Sequence, residues 1–186
     1  LTGQGSAYCG AVFFDDLQLP PVIYQQCAAL AKRIDYDSEK ILLQPRLSTA
    51  HKGDCGHVLV VGGDVGLAGA ARMAAEAAAR VGAGLVSVAT RSEHAAHLSA
   101  ARPELMARGI ETAAELVAMI KRANVIAIGP GLGQQAWGRQ LLTAVLDSDR
   151  PLIVDADALN FLASDPVQRD NWVLTPHPGE AARLLG

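Results

Sequence analysis

The sequence predicts an α/β protein built around a mainly parallel sheet. Short β-branched runs alternate with helical stretches from His51 onward, and each run ends in glycine or polar residues. The first run, "HVLVVGG", is apolar throughout, which is typical of a strand covered on both faces. Strands that alternate with helices require crossover connections, and these generate a parallel sheet.

The first helix is predicted over residues 69–81. It is small and apolar almost all round, and its charges are Arg72, Glu76 and Arg80, spaced four residues apart. Residues spaced in this way share one side of a helix. We therefore expect one narrow solvent-facing ridge on a helix that otherwise packs closely against the sheet.

The same rhythm continues to the last residue. In chain order the segments are the strand "GLVSVAT", the helix "AAELVAMIKRA", the strand "NVIAIGPG", the helix "QQAWGRQLLTAVLDS", the strand and turn "PLIVDADALN", and the strand and helix start "NWVLTPHPGEAARLLG". Ligands of parallel α/β sheets bind at the carboxyl ends of the strands. Glycine and polar residues gather at those positions, in residues 62–69, 90, 129–133, 155–160 and 175–180. One shared pocket is the simplest interpretation.

Composition excludes several classes of protein. Half of the 186 residues are apolar and 19% are charged, which indicates a globular chain. The net charge of −3 offers no attraction to nucleic acid or anionic membrane. No apolar run approaches the roughly 20 residues that cross a bilayer, and no signal peptide is recognisable. Cys9, Cys27 and Cys55 are odd in number and widely spaced, so we expect reduced thiols and a cytoplasmic location.

Neither glycine-rich loop matches a common phosphate-binding motif. Glycines at 62, 63, 66 and 69 are out of register for the G-x-G-x-x-G of a Rossmann site, and "GPGLG" is also out of register. Neither loop carries the lysine of a P-loop. The alternative for each loop is a tight turn that needs glycine for its positive φ.

Three groups of polar residues are candidate sites. His94 and His97 are three residues apart on a segment that reads as an exposed helix, and two further ligands are missing, so a metal role is disfavoured. Asp155 and Asp157 follow a strand and suit Mg²⁺ or a ligand hydroxyl, unless Asp157 or Asn160 caps the next helix.

The third candidate is His177, which lies between two prolines in "TPHPGE". Prolines on both sides restrict its backbone. A histidine on such a rigid turn at a strand end is suited to contact a ligand.

Taken together, these motifs resemble one enzyme family. The segments "HKGDCGHVLVVGGDVGLAGAARMAAEAAARVGAGLVSVATRSE", "ARPELM", "AIGPGLGQ", "PLIVDADALN" and "LTPHPGEAARLLG" occur in the order and spacing of the NAD(P)H-hydrate dehydratases. The resemblance covers the chain from about Lys52 to its end. It implies a ribokinase-like three-layer α/β/α fold with a mainly parallel sheet, incomplete at the C-terminus.

The leading segment "LTGQGSAYCGAVFFDDLQLP" is similar to the tail of an NAD(P)H-hydrate epimerase domain. The resemblance therefore implies two parts: residues 1–45, an epimerase tail plus linker, and residues 46–186, the N-terminal part of a dehydratase domain. It also implies that the parent enzyme epimerises the hydrate and forms a homo-oligomer.

The implied activity is repair of hydrated nicotinamide cofactors. ADP, or ATP in other members, phosphorylates the ring hydroxyl of NAD(P)H hydrate with Mg²⁺ present. Elimination of phosphate then restores NAD(P)H, and AMP is the other product. The partner is thus a small dinucleotide substrate.

By the resemblance, substrate-contacting positions are Ala70, Gly131 and His177. Supporting positions are Gly69, Gly129, Asp155 and Asp157. The family's lysine-glycine nucleotide loop and its base aspartate are expected beyond Gly186, so residues 1–186 alone are expected to be inactive.

Two other functions stay open at this stage. A ribokinase-like kinase for a sugar or hydroxymethylpyrimidine would suit "DADALN" and "TPHPGE" but not the opening "HKGDCGHVLVVGG". A non-catalytic nucleotide-binding or scaffold module would explain the missing base, but not the end in "EAARLLG".

Overall fold

The computed structural model describes residues 4–27, 32, 34–43 and 45–186, and the chain divides into two units, Leu1–Arg46 and Leu47–Gly186. Short helices form the first unit: α1 (Gly5–Tyr8), α2 (Pro21–Gln26) and α3 (Tyr36–Glu39), followed by a 3-10 turn at Lys40–Leu42. Proline at the first position favours the start of α2. Asp35 caps α3 by accepting a hydrogen bond from the Ser38 backbone N–H.

The second unit contains a six-stranded sheet in which every neighbouring pair is parallel. Its strands are β1 (His57–Val61), β2 (Leu85–Thr90), β3 (Met106–Gly109), β4 (Val125–Ile128), β5 (Leu152–Val154) and β6 (Trp172–Leu174). The order across the sheet is β3-β2-β1-β4-β5-β6. The prediction of a parallel α/β sheet is confirmed.

Helices follow the strands. They are α4 (Ala68–Arg80), α5 (Ser92–Ala101), α6 (Ala113–Arg122), α7 (Ala136–Leu146), α8 (Ala156–Ser164) and α9 (Pro178–Leu185). Reciprocal hydrogen bonds between Thr112 and Glu115 start α6 as a capping box. Two elements differ from the sequence prediction. Strand β3 was not predicted, and α8 stands where a turn was expected after β5.

The two faces of the sheet are covered unequally. One face, with Leu59 and Ile126, packs completely against α6, α7 and α8. The other face packs against α4 and α5 only over the half that holds β1 and β2. Along this second face the exposed fraction rises from 0% at Val60 to 38% at Ile153 and 60% at Val173. The apolar face of β5 and β6 is therefore open. A groove of about 670 Å³ lies between α4 and this face of the sheet, lined by Ala74, Val58, Ala127 and Ile153 among others.

The three charged residues predicted to form a solvent-facing ridge on α4 do lie along one side of the helix, but the Glu76 side chain is largely buried. Glu76 binds Arg72 at 2.7 Å and Arg80 at 3.3 Å, and it also binds Arg102, the C-cap residue of α5, at 3.0 Å. Hydrogen bonds from Arg102 and Arg72 lower the pKa of Glu76 to about 2. The ridge thus helps to join α4 to α5.

The strand order reverses between β1 and β4. Strands β1, β2 and β3 extend the sheet in one direction, and β4, β5 and β6 extend it in the other. The connections from β1 to α4 and from β4 to α7 therefore lead to opposite faces of the sheet, and such a point is where open α/β sheets bind ligands. Within the described ranges, no helix has the length and apolarity needed to span a membrane.

Candidate functional site

The loops after β1 and β4 meet at the point where the strand order reverses. The Gly63 backbone N–H donates to the Pro130 carbonyl oxygen at 3.2 Å, and the Asp64 N–H donates to the Gly131 carbonyl oxygen at 2.7 Å. Thr90, at the end of β2, donates its hydroxyl to the Gly63 carbonyl oxygen at 2.8 Å and is fully buried. The two loops consequently form one fixed surface at the carboxyl edge of the sheet.

Most glycines of these loops are required by the fold itself. A Cβ atom on Gly62 would collide with the Pro130 carbonyl, and one on Gly129 would collide with the Asp155 carbonyl. Gly131 has a φ of +61°, and a Cβ atom there would lie 2.6 Å from the Leu67 carbonyl oxygen. At these three positions close backbone approach explains the glycine without any ligand.

Gly69 has no such explanation. It lies in the first turn of α4, and a Cβ atom added to it would meet nothing within 4 Å. The next residue, Ala70, borders Gly131, since a Cβ atom on Gly131 would lie 3.2 Å from the Ala70 Cβ. The structure thus brings Gly69, Ala70 and Gly131 together beside open space at the carboxyl edge.

The two aspartates after β5 take different roles. Asp155 occupies the N-cap position of α8, and its Oδ1 accepts a hydrogen bond from the Thr175 hydroxyl at 2.9 Å. Asp157 lies inside the first turn, where its Oδ2 accepts from the Gly133 backbone N–H at 2.9 Å. Ala156, between them, has a φ of +47°, which an L-residue adopts at a cost of about 1–2 kcal/mol.

The prediction that Asp157 or Asn160 caps the helix after β5 is wrong. The helix begins earlier than expected, so both residues lie within it rather than before it. Asp157 holds the loop after β4 instead, and Asn160 accepts a hydrogen bond from Arg183 Nε at 2.8 Å.

His177 occupies the N-cap of α9 at the carboxyl end of β6, two strands from β4. Its Nδ1 accepts a hydrogen bond from the Gly179 backbone N–H at 3.0 Å, so the neutral ring carries its proton on Nε2. That nitrogen lies 3.3 Å from Glu180 Oε1, and 62% of the side chain is exposed. The contacts with Gly179 and Glu180 both lie within the turn that contains His177. They do not connect the ring to Ala70 or Gly131.

Sequence reasoning missed a cluster of charged residues at the same edge. Arg91 follows β2 and binds Asp64 Oδ1 through Nε and Glu111 Oε2 through Nη1, each at 2.8 Å. Its guanidinium also lies 4.5 Å from the ring centroid of Trp137. Hydrogen bonds from the backbone N–H and the hydroxyl of Ser92 hold the pKa of Glu111 below its ordinary value, and the hydrogen bond from Arg91 adds a smaller effect in the same direction. The sequence feature that could have indicated this cluster is position along the chain, since Asp64, Arg91 and Glu111 each come just after a strand.

The histidines of α5 lie beside this cluster. His94 is partly buried, and its Nε2 lies 3.3 Å from the Asp64 carbonyl oxygen, while His97 is exposed. Across residues 4–27, 32, 34–43 and 45–186, no three His, Cys, Asp or Glu side chains are grouped so that they could hold a metal ion.

Most of the second unit matches the sequence pattern of a known protein family. The sequence pattern of the family described as NAD(P)H-hydrate dehydratase matches residues 58–186. The bifunctional NAD(P)H-hydrate repair enzyme of Coxiella burnetii is 50% identical over 185 residues. That alignment covers all of this chain and 38% of the relative, so the chain spans well under half of that protein's length.

Comparison with solved structures gives the same architecture. A hypothetical protein from Streptococcus mutans superposes with a TM-score of 0.74 at 35% identity, over 81% of this chain and 56% of that one. An ADP/ATP-dependent NAD(P)H-hydrate dehydratase from Bacillus subtilis, co-crystallised with ATP and Mg²⁺, superposes with a TM-score of 0.62 at 30% identity, over 75% of this chain and 50% of that one. The ribokinase-like α/β fold expected from the resemblance is confirmed.

Proposed function

Since the chain belongs to the NAD(P)H-hydrate dehydratase family, we propose that its two glycine loops bind hydrated NADH or NADPH for ADP-dependent dehydration. The observation that carries the proposal is the open space above Gly69, next to Ala70 and Gly131. It lies where the strand order reverses, the usual ligand site of such sheets. A bulky dinucleotide needs backbone that it can approach closely, and this first turn of α4 offers it.

We assign substrate contacts to Ala70 and Gly131, with Gly69 leaving the room that the ligand needs. Gly129 supports them by allowing the loop after β4 to pass the Asp155 carbonyl. Asp157 supports them by holding Gly133. These roles rest on the packing of the loops and on the family's motifs.

His177 is assigned a contact through Nε2–H, the ring nitrogen that does not cap α9. A substrate atom there would share this donor with Glu180. Asp155, bound to Thr175, fixes the chain between the two parts of the site.

The proposed reaction has two steps, a phosphoryl transfer followed by an elimination. The ring hydroxyl of the hydrate attacks the β-phosphorus of ADP, the bond to AMP breaks, and the hydroxyl proton passes to a base. The C–O bond then breaks with loss of phosphate and a ring proton, which restores the conjugated reduced nicotinamide. The residues of this chain bind and orient the dinucleotide during these steps.

ADP, with ATP as an alternative, belongs to the proposal because the B. subtilis relative is named for both nucleotides. Mg²⁺ accompanies ATP in that structure's description. Over the described residues, Asp155 and Asp157 are bound to Thr175 and Gly133 and belong to no three-ligand group. We therefore assign no metal ligand to Asp155 or Asp157.

Residues 1–45 are proposed to be the end of an epimerase domain plus a linker, and residues 46–186 to belong to the dehydratase domain. Two observations support this: the chain divides at Arg46 and Leu47, and the C. burnetii relative is named bifunctional.

A cytoplasmic location is proposed because Cys9, Cys27 and Cys55 are unbridged. A homo-oligomer is proposed from the open apolar face at Ile153 and Val173.

The test has a binding arm and a turnover arm. NADH hydrate is titrated calorimetrically into the 186-residue chain, and return of the reduced-nicotinamide absorbance is followed in the parent enzyme after addition of ADP and Mg²⁺. We expect saturable binding of the hydrate by the chain, no binding of a free sugar, and return of the absorbance with the parent enzyme. Phosphorylation of a sugar or hydroxymethylpyrimidine by the parent enzyme, with the hydrate neither bound nor converted, would show a small-molecule kinase instead.

A further inference from the structure

We propose that Arg91 is a positioning residue for the hydrate, because it fixes Asp64 and, through Asp64, the backbone at Gly131. The inference rests on the proposed function of the two glycine loops.

Arg91 joins the ends of three neighbouring strands. Its Nε donates to Asp64 Oδ1 beyond β1, and its Nη1 donates to Glu111 Oε2 beyond β3, each at 2.8 Å. The Arg91 side chain is 23% exposed and that of Asp64 is 12% exposed. An ion pair with this degree of burial is screened less than a surface pair.

The orientation of the guanidinium is fixed by a third contact. It stacks over the ring of Trp137, which is 5% exposed and donates its indole N–H to the Ile110 carbonyl oxygen at 2.8 Å. Only a planar group with several donors can stack on an aromatic ring and bind two carboxylates at once. Lysine at this position could keep the charge but not the whole set of contacts.

Asp64 transmits this constraint to the loop after β4. Its backbone N–H donates to the Gly131 carbonyl oxygen at 2.7 Å. Its carboxylate lies against Gly133, where a Cβ atom would come within 2.5 Å of Oδ2. Both the main chain and the side chain of Asp64 therefore determine where this loop lies.

The position of Gly131 relative to Ala70 is consequently sensitive to Asp64. Gly131 already packs tightly between Leu67 and Ala70, so a small shift of the loop changes the space beside Gly69. Arg91 is bonded to Asp64 and Glu111 and acts on Gly131 through Asp64, which makes it a positioning residue rather than a catalytic one.

The experiment compares Arg91→Met and Arg91→Lys with Arg169→Met in the 186-residue chain. Arg169 is a matched control because it also makes several hydrogen bonds. It lies just before β6 and donates to the carbonyls of Leu146 and Ser148, which precede β5, so these bonds are at the amino edge of the sheet. Two quantities are measured: the Kd of NADH hydrate by calorimetry, and the hydrogen-exchange rate of the Asp64 backbone amide.

We expect Arg91→Met to raise the Kd about tenfold, in line with the loss of charged hydrogen bonds, and Arg91→Lys to restore part of the affinity. Exchange at the Asp64 amide should accelerate in Arg91→Met. Arg169→Met should lower the melting temperature while leaving the Kd and this exchange rate unchanged. If Arg91→Met proves unfolded, Arg91→Lys carries the comparison.

Two results would overturn the inference while leaving the proposed function intact. One is wild-type binding with an unchanged Kd in the folded Arg91 variants. The other is an equal loss of affinity in Arg169→Met, which would reveal a general effect of stability. Failure of the wild-type chain to bind NADH hydrate would instead refute the proposed function, and the inference with it.

Discussion

The Asp64 backbone N–H donates to the Gly131 carbonyl oxygen across 2.7 Å and so ties the loop after β1 to the loop after β4. This hydrogen bond fixes the two loops relative to each other. The first turn of α4 lies beside them, where Ala70 borders Gly131 and Gly69 faces open space. A change at Gly69 can therefore separate binding from folding.

Gly69→Ala should preserve or increase stability while weakening binding of the hydrate. A Cβ atom at Gly69 meets no protein atom within 4 Å, and alanine in a helix is favoured over glycine by up to about 1 kcal/mol. Thermal unfolding and calorimetric titration of NADH hydrate measure the two effects. Gly10→Ala is the matched control, because Gly10 also has free space around it. Equal affinity in Gly69→Ala and wild type would mean that the ligand does not use this space.

Ala70→Leu should raise the Kd of NADH hydrate by at least about tenfold, because Gly131 packs tightly against Ala70 and a larger side chain there must displace the loop after β4. Ala118→Leu adds the same atoms to an exposed position of α6 and should leave the Kd unchanged. The measurement is calorimetric titration of both variants. Retained affinity in Ala70→Leu would place the substrate elsewhere.

The fold was largely predictable from sequence, and its exceptions have physical causes. Strand β3 reads "MARG", which lacks β-branched residues, because it is an edge strand with alternate residues exposed. The segment that forms α8 predicts a turn, because it contains Asp155, Asp157 and Asn160, and aspartate and asparagine are common in turns. Its burial of Leu159 and Phe161 against the sheet outweighs that preference.

The candidate site was predictable only in part. Glycines that follow strands indicated both loops, but pattern alone could not separate Gly129, required by the backbone, from Gly69, which borders open space. The contacts of Arg91 could not be predicted from sequence, because Asp64 and Arg91 are 27 residues apart along the chain, and Arg91 and Glu111 are 20 residues apart. Pairings over such distances follow from strand order, which the sequence does not state.

His177 should show two separable roles. His177→Ala removes the acceptor that caps α9 and should cost about 1 kcal/mol of stability, whereas His177→Asn keeps a capping oxygen and should retain it. Both variants lack Nε2–H, and because the ring is largely exposed, both should lose about 0.5–1.5 kcal/mol of hydrate binding. Chemical denaturation and titration give the two values. Full affinity in His177→Asn would limit His177 to capping.

Acid should weaken the link between α4 and α5. Arg102 and Arg72 lower the pKa of Glu76 from 4.5 to about 2, so its ionised form stabilises the fold fully above pH 4.5. The contribution is lost progressively as the pH falls from 4.5 toward 2. The melting temperature of wild type should exceed that of Glu76→Gln at pH 7, and the difference should shrink with acid. A constant difference between pH 7 and pH 3 would contradict this assignment.

The open face of the sheet should cause self-association. Ile153 and Val173 are adjacent on β5 and β6, and both are exposed on a face that is apolar along its length. Exposed apolar patches of this kind mark association surfaces, and edge strands such as β6 add unpaired backbone groups. Val173→Lys places a charge on that face and should shift the chain toward the monomer in light scattering. Val117→Lys is the control, since Val117 is also exposed but lies on α6. A wild-type chain that stays monomeric over a wide range of protein concentration would show that polar surroundings are sufficient to keep this face in water.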